Sequence, residues 1–172
     1  MDIWDKKKRS EVMSKIRAIN TKPEKLLRKA LFQRGFRYRI NYKKLSGKPD
    51  IVLPKYRTVV FVHGCFWHGH KKCSSKDSHI PKTNTSFWTE KIKRNTERDT
   101  KNIIQITSMG WKVLTIWDCE IQQKNIESVI EKIISVMQEK VCQYHLVSVK
   151  IYDEIDSNIM MVAEDVTIYK TN

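Results

Sequence analysis

Apolar residues recur along this chain at two periods, one helical and one extended, and the switches between them divide it into elements. Residues 6–19 carry Val12, Met13, Ile16 and Ile19 near one face of an otherwise basic stretch, which predicts a helix. Thr21-Lys22-Pro23-Glu24 reads as the start of a second helix: a capping Thr, Pro in the first turn and Glu three positions after the cap. Leu26, Leu27, Ala30 and Leu31 follow at core spacing, and Gly35 is the expected stop. Residues 36–42 (FRYRINY) alternate apolar and polar, as a half-buried strand does. After the turn signal Gly47-Lys48-Pro49, residues 50–53 and 58–62 flank a short turn at 54–57 and read as a hairpin, the second member apolar enough to be central. Residues 63–80 have no period and are rich in His, Cys, Gly and Lys, so they read as a functional loop. Residues 85–109 predict a long helix ended by Gly110, residues 111–117 a strand, and residues 124–139 a helix with Ile126, Val129, Ile130, Ile133, Ile134 and Met137 inward. The last thirty residues are weakly patterned, with 145–151 and 159–169 as candidate strands. This order predicts an α/β fold, a mixed central sheet with helices on both faces. No repeat or linker interrupts it, so residues 1–172 read as one domain, with a basic segment at 1–20 and a C-terminal extension at 142–172.

Charge adds a partner. Net charge is +14, and it is uneven: residues 1–100 hold 26 Lys and Arg against 9 Asp and Glu, whereas residues 101–172 hold 7 against 10. A basic front and a mildly acidic back suit a polyanion bound on one side, which points to nucleic acid. A membrane surface fits less well, because no basic amphipathic helix has a broad apolar face. With 40% hydrophobic residues the chain can build a core. No apolar run spans a bilayer and none follows the first charges as a secretory signal would, so the expectation is a cytoplasmic protein.

Four groups of residues carry chemistry. Cys65-x4-His70-x2-Cys73 lies in one loop and Cys119 follows a strand; three thiolates and an imidazole satisfy tetrahedral zinc, with His68 and His79 as competing ligands. Such a zinc, filled by four protein ligands, is structural; Cys142 reads as a core thiol. Asp50, at the start of one hairpin strand, is a hard oxygen ligand for Mg²⁺, or simply a turn residue. His63 and His68 can transfer protons near neutral pH if zinc does not claim them. Phe66 and Trp67 at the loop tip, with Trp88 opening a basic helix, suit stacking on bases or anchoring the loop. That helix offers Lys91, Lys93, Arg94, Arg98 and Lys101 to phosphates.

GKPDIV, FVHGCFWHGHKKC, TNTSFWTEKIKRNTERD and GWKVLTIWDCE, in that order, resemble the very-short-patch repair (Vsr-type) DNA mismatch endonucleases over about residues 9–119. The resemblance implies a restriction-endonuclease-like fold and an enzyme that nicks duplex DNA beside the thymine of a T:G mismatch left by deaminated 5-methylcytosine. It implies that Asp50 coordinates catalytic Mg²⁺, two ions, with the carbonyl of Val62, which stands where the best-known member has Thr. It gives the acid/base and phosphate-contacting roles to His63 and His68, of which we choose His68 for proton transfer and His63 for phosphate or water contact, and it matches Glu24 and Asp99 to acidic residues near the site. Cys65, His70, Cys73 and Cys119 would hold the structural Zn²⁺, although the spacing from Trp67 to Cys73 is one residue longer than in that member. Phe66, Trp67 and Trp88 would form a major-groove wedge, and Met13 would enter from the minor groove. A monomer, with a functional link to a cytosine-5 DNA methyltransferase, completes what the resemblance implies. Rival readings are a sequence-specific restriction or nicking enzyme of the same fold without mismatch dependence, a non-catalytic zinc DNA-binding module, and an RNA-binding module.

Overall fold

The computed structural model describes residues 6–15, 19–71, 73 and 78–138. The side chains of Met13 and Ile16, Cys142 and both candidate strands beyond 142 lie outside that set. In chain order the elements are α1 (Lys6–Lys15), α2 (Lys22–Gln33), β1 (Ile51–Leu53), β2 (Thr58–His63), α3 (Thr85–Ser108), β3 (Lys112–Trp117) and α4 (Ile126–Gln138). Among the described residues, no helix is long and apolar enough to cross a membrane.

The three strands form one mixed sheet in the order β1-β2-β3, with β1 antiparallel and β3 parallel to β2. Alternation along each strand sends side chains to two opposite layers. Ile51, Leu53, Val60, Leu114 and Ile116 face Leu27 and Leu31 of α2 and Val129, Ile130 and Ile133 of α4. Val52, Val59 and Phe61 face Ile103 and Ile106 of α3. The sheet therefore lies between α2 with α4 on one side and α3 on the other, as the element order predicts. Leu27, Leu31, Ile130 and Ile133 are fully buried, and each such side chain contributes about 1.5–3 kcal/mol relative to exposure.

The capping box at the start of α2 forms as read: the Thr21 hydroxyl accepts from the Glu24 N–H, and the Glu24 carboxylate accepts from the Thr21 N–H. Two expectations need correction. Ile19, expected on the apolar face of the first helix, sits in a bend and is 57% exposed. Residues 36–42 do not form a strand; only Arg39 bridges the sheet, exchanging two backbone hydrogen bonds of 2.8 Å with Val52. The reason is the length of β1: in three residues the outer edge presents one N–H and C=O pair, that of Val52, so a neighbour finds a single partner.

Candidate active site and metal-binding cluster

Asp50 and Val62 meet through a backbone irregularity that the sequence encodes. The register Ile51↔Val60, continued two residues outward, brings Pro49 opposite Val62. Val60 and Val62 turn their N–H and C=O toward β1, while the carbonyl of His63 turns to β3, where it accepts from Asp118 N–H at 2.9 Å. Proline has no N–H, so it cannot continue the ladder to the Val62 carbonyl. The Val62 N–H donates to the side chain of the next residue, Asp50 Oδ2, at 2.7 Å. A carboxylate and a carbonyl, both hard oxygen donors of the kind Mg²⁺ takes, are thereby gathered at the same end of the sheet.

By the same alternation, Asp50 and His63 project from the face that packs on α3. The stripe of α3 that meets this face runs Trp88, Ile92, Asn95, Asp99, Ile103, Ile106, at steps of three and four residues. Ile103 and Ile106 enter the core, while the earlier half of the stripe holds the 64–70 loop. Gly69 sits there at φ +67, and a Cβ on it would lie 2.9 Å from Ile92 Cγ2, so only glycine brings the loop this close to α3. Asn95 Nδ2 donates to the Trp67 carbonyl at 2.9 Å. Asp99 Oδ2 lies 2.5 Å from His68 Nδ1, and the His68 ring stacks on that of His63 at 3.9 Å and 11°.

The electrostatics follow from this packing. Burial raises the Asp50 carboxyl from 3.8 to about 6; the Val62 hydrogen bond and the charges of Arg28 and His68 oppose the rise, and Glu24 adds to it. Burial, then the charge of His68, lowers His63 to about 3, so it is neutral at pH 7. Its Nδ1 is buried without a protein hydrogen-bond partner. For Asp99, burial acts upward, but the hydrogen bond and charge of His68 prevail and hold the carboxyl below its ordinary value. His68 Nδ1 and Asp99 are thus committed to each other, which leaves His68 Nε2 for another partner.

The shift at Asp50 predicts a stability change. A carboxyl whose folded pKa exceeds its unfolded one favours the native state at low pH, and that advantage is lost as pH rises from about 4 to about 6. Above that window the buried charge costs up to about 3 kcal/mol relative to low pH. In the absence of divalent cations, Asp50→Asn is expected to raise Tm at pH 8 and to leave it unchanged at pH 4. An equal change at both pH values in thermal melts would contradict the buried-charge account.

On the other side of the loop, Cys65, His70, Cys73 and Cys119 offer four ligand atoms that all lie within 4.8 Å of one another. Cys65 Sγ and Cys119 Sγ lie 3.1 and 3.5 Å from His70 Nδ1. The His70 ring stacks on Trp117 at 4.1 Å and 4°, which fixes its direction. Burial pushes the Cys65 and Cys119 thiols up and His70 down. Three sulfurs and one nitrogen drawn together suit tetrahedral zinc, which takes thiolates. His68 and His79 are outside this group: His68 faces Asp99 and His79 is exposed.

Phe66, Trp67 and Trp88 pack edge to face, with centroids 5.0–6.0 Å apart, and all three are half-buried. Phe87, which sequence patterning missed, joins them at 5.2 Å from Trp88 and is 49% exposed. The Lys91 ammonium lies 5.5 or 5.6 Å from the rings of Trp67, Phe87 and Trp88. Lys93, Arg94 and Arg98 are exposed on the same helix. Glu24 is buried at the start of α2, and Met13 lies on α1. Asn95 was also missed, although its place in the α3 stripe, like that of Asp99, marks a polar residue turned inward.

The sequence model of the DNA mismatch endonuclease Vsr family matches residues 1–75, the stretch that holds Glu24, Asp50, Val62 and the HGCFWHGH loop. A type II nicking enzyme of Neisseria meningitidis serogroup A is 57% identical over 125 residues, 73% of this chain and 87% of that enzyme. A type II nicking enzyme of Xanthomonas oryzae pv. oryzae is 41% identical over 114 residues, 66% of this chain and 82% of that enzyme. The DNA mismatch endonuclease Vsr of Escherichia coli is 38% identical over 141 residues, 82% of this chain and 88% of that enzyme. The chain belongs to the Vsr family of DNA endonucleases.

Proposed function

We propose that this chain, acting as a monomer, nicks one strand of a DNA duplex beside the thymine of a T:G mismatch, as in very short patch repair of deaminated 5-methylcytosine. The observation that carries the reading is the meeting of the Asp50 carboxylate, the Val62 edge and the His68–Asp99 pair at one end of the sheet, beside a half-exposed aromatic cluster. The three-layer arrangement with a site at the sheet end fits a restriction-endonuclease-like fold.

Asp50 and the Val62 carbonyl would hold Mg²⁺. When bound, the ion supplies Lewis-acid stabilisation of the attacking and leaving oxygens. Asp99 accepts a hydrogen bond from His68 Nδ1–H and orients the ring, so that Nε2 can take a proton from the attacking water. His63 stacks beneath that imidazole and fixes its plane. His63 would make the contact to a water or phosphate oxygen. Cys65, His70, Cys73 and Cys119 would hold Zn²⁺, pinning the loop that carries both His68 and the aromatic tip.

Phe66, Trp67 and Trp88, with Met13 from the opposite groove, would enter the base stack. Opening a step costs a few kcal/mol, and least at a mismatch, which gives the preference for T:G. Lys91, Lys93, Arg94 and Arg98 would take phosphates. A cytosine-5 DNA methyltransferase, the source of the deaminating base, is the expected functional companion.

The Neisseria and Xanthomonas relatives are named type II nicking enzymes, and the second reading is a nicking enzyme without mismatch dependence. Strand-resolved nicking of a T:G duplex library with randomised flanks, against matched duplexes, separates the two. The proposal expects cutting beside the mismatched thymine; equal cutting of matched duplex supports the second reading. Trp67→Ala is expected to lower mismatch discrimination by about 1–3 kcal/mol, the value of one stacked base, and general DNA affinity less. Equal loss on matched and mismatched duplex would make Trp67 a loop anchor.

A further inference from the structure

Glu24 lies near the site, yet its carboxylate has no oxygen to spare. Oε2 accepts from the Asn20 N–H at 3.0 Å and from Arg28 Nη2 at 2.7 Å; Oε1 accepts from the Thr21 N–H at 3.3 Å and the Thr21 hydroxyl at 2.8 Å. A carboxylate offers about four acceptor positions, so these four bonds occupy it. It is also only 3% exposed. A group so engaged cannot also ligate a cation or receive a proton from water.

Its partner reaches further. Arg28, 7% exposed, donates through Nη1 to Asn20 Oδ1 at 2.7 Å and through Nη2 to both Glu24 and the Asp50 carbonyl, the last at 3.2 Å. Asp50 needs such a donor. Val52 spends its N–H and C=O on Arg39, and Asp50, two residues earlier, turns its C=O to the same outer edge. With the Asp50 carbonyl held by Arg28 and its carboxyl held by the Val62 N–H, the residue is clamped at both ends. The planar fork of arginine spans three acceptors at once, which a lysine ammonium on the same helix position would not do in that geometry.

We infer that Arg28 is a positioning residue that fixes the backbone of Asp50, and that Glu24 acts through Arg28 rather than on substrate or metal. This rests on the reading of Asp50 as the Mg²⁺ carboxylate. Arg28 forms its ion pair with Glu24 and reaches Asp50 through the backbone carbonyl.

The test measures nicking of a T:G duplex across a Mg²⁺ titration, at saturating DNA, for Arg28→Ala, Arg28→Lys, Glu24→Gln, the double variant Glu24→Gln/Arg28→Ala, and Asp50→Ala. Arg28→Ala is expected to slow nicking about 10- to 100-fold and to raise the half-saturating Mg²⁺ about tenfold, the scale seen when a ligand's outer partner is lost. Duplex affinity should not change, and a low, non-denaturing concentration of guanidinium chloride should restore part of the rate. In the double variant, Glu24→Gln should add less than about twofold, because residues acting as one unit are non-additive. Wild-type nicking and Mg²⁺ dependence in Arg28→Ala would overturn the inference. So would loss of duplex affinity in step with rate and without rescue, or a further loss of about tenfold in the double variant, which would make Glu24 act directly. If Arg28→Ala does not fold, Arg28→Lys carries the same Mg²⁺ comparison, with wild-type behaviour as the contrary result. Asp50→Ala keeps the two readings apart: residual nicking there defeats the site assignment, whereas an inactive Asp50→Ala beside a wild-type Arg28→Ala defeats only the role of Arg28.

Discussion

Asp50→Ala is expected to bind a T:G duplex with wild-type affinity and to nick it at least about 10³-fold more slowly, a loss of about 4 kcal/mol of transition-state stabilisation. The split arises because residue 50 contributes nothing to the basic and aromatic surface formed by Lys91, Arg94, Trp67 and Trp88. It stands at the sheet end, where the truncation also frees the Val62 N–H that its carboxylate had accepted. Asp50→Asn separates these two losses: its amide oxygen can still accept from Val62, but it carries no charge. Both variants should be inactive if the charge matters; an active Asp50→Asn would assign the residue a purely structural part. Gel-based nicking and duplex binding on the same preparations read out both quantities.

Loss of the cysteine cluster is the second large effect. Purified protein is expected to hold one zinc per chain, and Cys119→Ser or a strong chelator to remove it. Structural zinc supplies about 10–16 kcal/mol of apparent binding free energy in small zinc domains. Here the two core clusters on either face of the sheet are built mainly of Ile, Leu and Val and include none of Cys65, His70, Cys73 and Cys119. The expected outcome is therefore local: the sheet persists, the 64–80 segment loosens, and nicking is lost because His68 and the aromatic tip share that segment. Circular dichroism should change little while limited proteolysis gains a cut in the loop. Global unfolding on chelation would show that the core depends on the metal; full activity in zinc-free protein would remove the cluster from the account.

Local chemistry was legible in the sequence, and long-range pairing was not. The α2 capping box, the Gly35 and Gly110 stops and the hairpin at 50–62 follow from spacing and turn residues alone, and they form as read. The alternation of FRYRINY is real, but a strand needs a neighbour of matching length, and β1 has only three residues. The importance of Pro49 becomes visible only once the register brings it opposite Val62. Asp99 carried a signal, an acidic residue on the apolar stripe of α3, but its partner His68 comes from a loop without periodicity. Glu24 was read correctly as the third residue of the capping box after Thr21; that Arg28 carries its hold onward to Asp50 depends on how α2 packs against the sheet edge, which no local pattern encodes.

The direct measurement is anomalous diffraction from Mn²⁺ bound to the protein in complex with an uncut T:G duplex. The account predicts manganese bonded to an Asp50 carboxylate oxygen and the Val62 carbonyl at about 2.0–2.3 Å, typical of hard-ion contacts with oxygen, with the scissile phosphate on the same ion. Manganese found only on the His63–His68–Asp99 group, with Asp50 still bonded to the Val62 N–H alone, would contradict it.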